Sequence, residues 1–132
     1  MECFERKSGK MVVIDDYRKG WALRYLREAK DELKTSIKIS NSFNLIIDAA
    51  RKAQAAIYFA LGDPSSIEGI INELSLSAEP VENPVLRCLV EIEQSLRRIE
   101  SFPPTRYKEA LKEADEIVQI ASGIVELMTS ED

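Results

Sequence analysis

The sequence predicts an all-α protein, an antiparallel up-and-down bundle of four long helices and one short helix. Three observations carry this reading. Apolar residues recur at three- and four-residue spacing over long stretches. Breaks containing proline or glycine separate those stretches. Strand-like alternation is confined to the short run Met11–Ile14. The chain has 132 residues, 45% apolar and 31% charged, which suits one globular domain rather than a disordered chain. Residues 15–132 are read as that domain, and residues 1–14 as an N-terminal segment expected to be flexible.

Asp15 or Asp16 is placed to cap a first helix, with apolar positions at Ala22, Leu26, Ala29, Leu33 and Ile37. The polar pair Ser40–Asn41 ends it. A second helix from about Ser42 to Leu61 is apolar on most faces and rich in alanine, so it is expected at the centre, where neighbours approach closely. Gly62-Asp63-Pro64 reads as its stop, with Gly62 in a left-handed cap. Ser65-Ser66-Ile67-Glu68 has the form of a capping box opening a short helix through Ile67, Ile70, Ile71 and Leu74. A loop from Ser75 to Glu82 follows. Asn83-Pro84 restarts a helix with the stripe Val85, Leu89, Ile92, Leu96 and Ile99. Phe102-Pro103-Pro104 breaks it. Thr105 is then expected to cap the last helix, whose stripe is Tyr107, Leu111, Ala114, Val118, Ala121, Val125 and Met128.

The composition excludes several chemistries. Histidine is absent, which removes His-dependent triads, Glu-x-x-His di-iron sites and the commonest metal ligand. The cysteines, Cys3 and Cys88, are too few for a disulfide framework or a four-ligand zinc site, and point to a reducing, cytoplasmic setting. The five glycines form neither a Walker loop nor a dinucleotide fingerprint. No apolar run reaches the ~20 residues of a membrane span, and the start of the chain lacks a secretory apolar core. No metal or cofactor is expected.

Charge is uneven. Residues 1–60 hold twelve Lys/Arg against eight Asp/Glu, while residues 61–132 hold six against fifteen, which gives the overall −5. Such a split suits self-complementary packing, a dimer contact or a polyanion site. Glu109, Glu113 and Glu116 read as a solvated row beside Lys108 and Lys112. Two sets of residues are candidates for function. The first helix carries Arg24, Arg27, Lys30, Lys34 and Lys38, whose last four members form a stripe able to attract nucleotide or RNA phosphates. The second helix carries Asp48, Arg51 and Tyr58 among few polar groups, a candidate groove, with Asp48 able to pair with Arg51 or Lys52.

The segments Trp21-Ala-Leu-Arg-Tyr-Leu-Arg-Glu-Ala-Lys-Asp-Glu-Leu, Ala49-Ala-Arg-Lys-Ala-Gln-Ala-Ala-Ile-Tyr-Phe-Ala-Leu-Gly and Tyr107-Lys-Glu-Ala-Leu-Lys-Glu-Ala-Asp-Glu-Ile occur in an order that resembles a HEPN domain, over about Tyr17 to Leu127. The resemblance implies a helical bundle, often dimeric, working beside a small nucleotidyltransferase, with ribonuclease activity in many members. Those ribonucleases use an Arg and a His separated by four to six intervening residues. After Arg97 and Arg98 the eligible positions hold Phe102, Pro103, Pro104 and Thr105, so no catalytic pair carries over.

The leading expectation is a non-catalytic, homodimeric binding module that contacts a protein partner, such as a nucleotidyltransferase, or a nucleotide or RNA. The alternatives are an enzyme using carboxylate and Arg/Lys groups in an inter-helix groove, and a purely structural helical subunit.

Overall fold

The computed structural model describes residues 15–39 and 42–130. The expectations for residues 1–14, including Cys3 and the Met11–Ile14 run, and for the turn at Ser40–Asn41 lie outside the described residues. Within them the chain is all-α: α1 (Asp16–Lys38), α2 (Phe43–Leu61), α3 (Pro64–Leu76), α4 (Pro84–Glu100) and α5 (Tyr107–Thr129), with a 3₁₀ turn at Pro104–Arg106 and no strand among the described residues.

Side chains start three of these helices by accepting the backbone N–H groups that a helix leaves unpaired at its first turn. Asp15 accepts from the Arg18 amide at 2.7 Å and caps α1. Asn83 accepts from the amides of Val85 and Leu86 at 2.9 and 3.0 Å, with Pro84 at the first helical position of α4, as expected. The start of α3 differs from the expectation. Asp63 is its cap, accepting from the Ser66 amide at 3.0 Å and the Ser66 hydroxyl at 2.7 Å. Pro64, read as a helix stop, is instead the first residue of α3, and the Ser65–Glu68 box is not used. An Asp one residue before a proline satisfies the first turn before Ser65 can. Gly62 is extended, with φ 175°, not left-handed. Thr105 falls inside the 3₁₀ turn rather than capping α5, which starts after Arg106 without a side-chain cap.

α2 lies at the centre and touches each of the other four helices. Ala49, Ala50, Ala53, Ala56 and Ala60 are fully buried on it, and small side chains let neighbouring backbones come near. Contacts between α1 and α2 run in reverse order: Arg18 reaches the Phe59 and Ala60 carbonyls, whereas Lys52 reaches Glu28. Trp21, Tyr25 and Phe59 close the open end of this seam with ring centroids 5.6–6.1 Å apart. Leu96 and Ile99 of α4 and Ala114, Ala121 and Val125 of α5 complete the core.

Three expected core positions are not core. Ile37 is 66% exposed, and Ser36 is buried in its place. The Ser36 hydroxyl donates to the Leu33 carbonyl at 2.7 Å, and the Ser36 carbonyl accepts from the Ser42 hydroxyl at 2.8 Å. These bonds satisfy a serine at the core position three residues after Leu33 and leave Ile37 outside. Val85, 57% exposed, sits in the first turn of α4, and the buried stripe begins at Leu89. Ile70 is turned out because Ile67, Ile71 and Leu74 already fill the inner line of α3. No helix among the described residues is long and apolar enough to cross a membrane.

Candidate functional site

The structure separates the sequence candidates into three places. The first is the outer side of α1. Arg27, Lys30, Lys34 and Lys38 are exposed there, and none of them has a hydrogen bond or ion pair among the described residues. Arg24 does not belong with them: it pairs with Glu28 at 3.0 Å and lies over the Trp21 ring at 5.0 Å. Lys30 and Lys34 form one wall of a groove of about 330 Å³ against α5. Leu33, Ile37 and Val118 supply its apolar surface, and Asp115, Gln119 and Ser122 its other wall.

The second place is the seam between α1 and α2. Asp48 is here, away from Arg51. Lys52 Nζ lies 3.1 Å from Glu28 and 3.4 Å from Asp48, and also binds Glu32. These contacts hold the ammonium pKa well above its ordinary value, Glu32 first. Glu32 Oε1 is buried beside Asp48 and receives no hydrogen bond among the described residues. Its carboxyl is accordingly pushed up, by burial first and the Asp48 carboxylate second. Glu28, Glu32 and Asp48 are thus gathered on one lysine, with Arg24 also on Glu28, and the cluster closes on itself. No group of side chains suited to a metal ion is found among the described residues.

The third place is a pocket of about 500 Å³ between α2, α3 and α4, lined by Arg51, Gln54, Tyr58, Glu68, Asn72 and Glu93 with Ala55 and Pro64. It brings together two of the three groove residues read from the sequence, Arg51 and Tyr58. Its floor is a polar network inside the helix contact. Glu93, 5% exposed, accepts from Gln54 Nε2 at 2.7 Å, Arg97 Nε at 2.7 Å and Arg51 Nη1 at 3.3 Å. Arg51 also donates to Gln54 Oε1 at 3.0 Å and grips Glu100 through two nitrogens at 2.8 and 2.9 Å. Gln54 Nε2 donates to the Tyr58 hydroxyl at 3.1 Å.

Burying a charge costs several kcal/mol unless it is paired and hydrogen-bonded. Glu93 meets that condition. Burial alone raises its pKa, but the bonds from Gln54 and Arg97 and the two guanidinium charges bring it below the ordinary value. Tyr58 goes the other way. Burial, then the charges of Glu93 and Glu68, push its hydroxyl up to about 12. At neutral pH the pocket therefore holds an ionised carboxylate with both oxygens occupied and a protonated phenol. Neither is poised for proton transfer, which needs a pKa near the working pH. Cys88 is also kept as a thiol, by burial first and Glu91 second.

Gln54, Glu93 and Arg97 were missed by the sequence reading. Glu93 stands beside Ile92 between Leu89 and Leu96, so a charged residue occupies the buried line of α4. Gln54 likewise follows Ala53 on the most apolar helix. A polar residue inside an apolar stripe is the feature that finds both.

No protein-family model, curated protein or solved structure matches this chain.

Proposed function

We propose that this protein is a non-catalytic interaction module, an up-and-down helical bundle of HEPN-like type that engages an acidic, amphipathic protein segment along the α1–α5 groove. One observation carries the reading: the exposed cations Arg27, Lys30, Lys34 and Lys38 have no partner among the described residues, and the middle two, Lys30 and Lys34, wall an apolar-floored groove. Most other arginines of the described chain donate to a protein acceptor. Unpaired charge along an apolar groove gives both steering and a desolvated contact for an incoming helix. RNA or nucleotide phosphate is the second reading, because the cation row alone attracts any polyanion. Asp115 on the opposite wall disfavours phosphate and leaves room for a helix carrying acid on one side only.

Fluorescence anisotropy tests this with three probes: an amphipathic Glu/Leu helical peptide, a scramble of the same composition, and a single-stranded RNA. The amphipathic peptide is expected to bind more tightly than its scramble, and Lys30→Glu/Lys34→Glu to weaken it by more than about tenfold, or 1.4 kcal/mol. RNA binding more tightly than the peptide, or a peptide affinity unchanged by the charge reversal, overturns the reading.

A further inference from the structure

The pocket between α2, α3 and α4 has polar groups that the fold does not use, and they form a complementary set. The Tyr58 hydroxyl accepts from Gln54, but its own hydrogen has no acceptor among the described residues. The Tyr58 side chain is mostly buried and borders the pocket. Asn72, an exposed residue, accepts at Oδ1 from Arg97 Nη2 at 3.4 Å, and its amide hydrogens have no acceptor among the described residues. Glu68 has no donor at all among the described residues. It lines the same cavity, and its charge is felt at Tyr58. A ligand acceptor at Tyr58 supplies the partner that the described residues do not.

The unused set is thus two neutral donors and one anionic acceptor. Phosphate suits it poorly, because the Arg51 guanidinium is already bound to Glu100, Gln54 and Glu93, and the lining carries two carboxylates. A simple amine satisfies Glu68 but leaves Tyr58 and Asn72 without acceptors. A simple carboxylate does the reverse and meets Glu68 as a like charge. A nucleobase needs a ring face to stack on, and the one aromatic side chain here is buried.

We propose that this pocket binds a small zwitterion of the amino-acid type, with its ammonium on Glu68 and its carboxylate on the Tyr58 hydroxyl and the Asn72 amide. The volume of about 500 Å³ falls within the usual range for small-ligand pockets. Arg51, Gln54, Glu93 and Arg97 then act as the rigid support that fixes Tyr58, a positioning role without direct ligand contact. This site is separate from the α1–α5 groove, and either can fail without the other.

The test is a two-dimensional NMR titration of the full chain at low ionic strength. The probes are glycine, L-alanine, L-serine and L-glutamine, with methylamine and acetate as half-molecules and adenosine monophosphate as a phosphate control. At least one amino acid is expected to move the backbone amides of Tyr58, Glu68 and Asn72 saturably, and to bind about tenfold more tightly than either half-molecule. Glu68→Gln, on the exposed side of α3, is expected to weaken that binding about tenfold with the remaining spectrum unchanged. Tyr58→Phe is expected to weaken it severalfold, with the spectrum checking its fold. The proposal is overturned if no amino acid shifts these amides at about 10 mM, if a half-molecule or the nucleotide binds as well as the zwitterion, or if Glu68→Gln leaves the affinity intact.

Discussion

The outer row of α1 and the network between α2 and α4 use similar side chains under opposite conditions. Arg27, Lys30, Lys34 and Lys38 stand in solvent without partners among the described residues. Arg51 and Arg97 meet a buried carboxylate, an amide and a second acid within 3.3 Å. A guanidinium held by several acceptors at a helix contact is a part of the fold. A lysine with none contributes little to stability and remains available to another molecule. The difference separates what holds the helices together from what faces outward, and it can be broken by substitution from either side.

The largest effect is expected at Glu93. Glu93→Ala removes the common acceptor of Arg51, Gln54 and Arg97 and leaves a buried amide donor unpaired, so a loss of about 3 kcal/mol is expected in urea unfolding. Glu93→Gln keeps an acceptor oxygen and removes the charge, and is expected to cost about half as much. If Glu93→Ala unfolds at the wild-type midpoint, the network is not structural and the comparison fails.

Titration tests the network a second way. The Glu93 pKa is lowered by folding, so its contribution is present above its unfolded value and is lost as pH falls through the folded one. Stability should therefore decline in acid below about pH 4.5. Tyr58 is raised from 10.0 to about 12, so its contribution is complete below pH 10 and is lost as pH rises through about 12. Tyrosine absorbance should show an ionisation near pH 12 that coincides with loss of helical circular dichroism. The absence of any tyrosine ionisation near pH 12 contradicts the burial of Tyr58.

A smaller effect is expected at the start of α4. Asn83→Ala removes the acceptor of two backbone amides and should cost about 1 kcal/mol. It should do so without altering peptide binding at α1 or zwitterion binding at Tyr58. Thermal unfolding with both probes present checks this.

The helices were legible because their apolar spacing repeats over several turns, and the Asn83-Pro84 start was legible because it is local chemistry. Where two local signals compete, as at Asp63-Pro64 and Ser65-Ser66-Ile67-Glu68, the sequence does not say which cap acts first. Ile37 was misplaced because Ser36, three residues after Leu33, fits the helical period as well, and two hydroxyl bonds decide between them. Arg51 and Tyr58 were found because polar residues are rare on α2, but Asp48 lies about one helical turn away and faces α1 instead. Glu93 and Arg97 were not found because their meaning depends on Arg51 and Gln54, some 40 residues earlier, and on the packing that joins them.

The smallest effect is the most direct test of the central claim, that the α1 cations are not part of what holds the fold. Arg27→Gln, Lys30→Gln, Lys34→Gln and Lys38→Gln are combined in one chain, and its urea unfolding is measured beside the wild type at matched salt. Unfolding free energy is expected to stay within about 0.5 kcal/mol of the wild type, as for surface residues without partners. A loss of 2 kcal/mol or more, roughly what removing a buried partner costs, contradicts the account and makes the row a structural element of the fold.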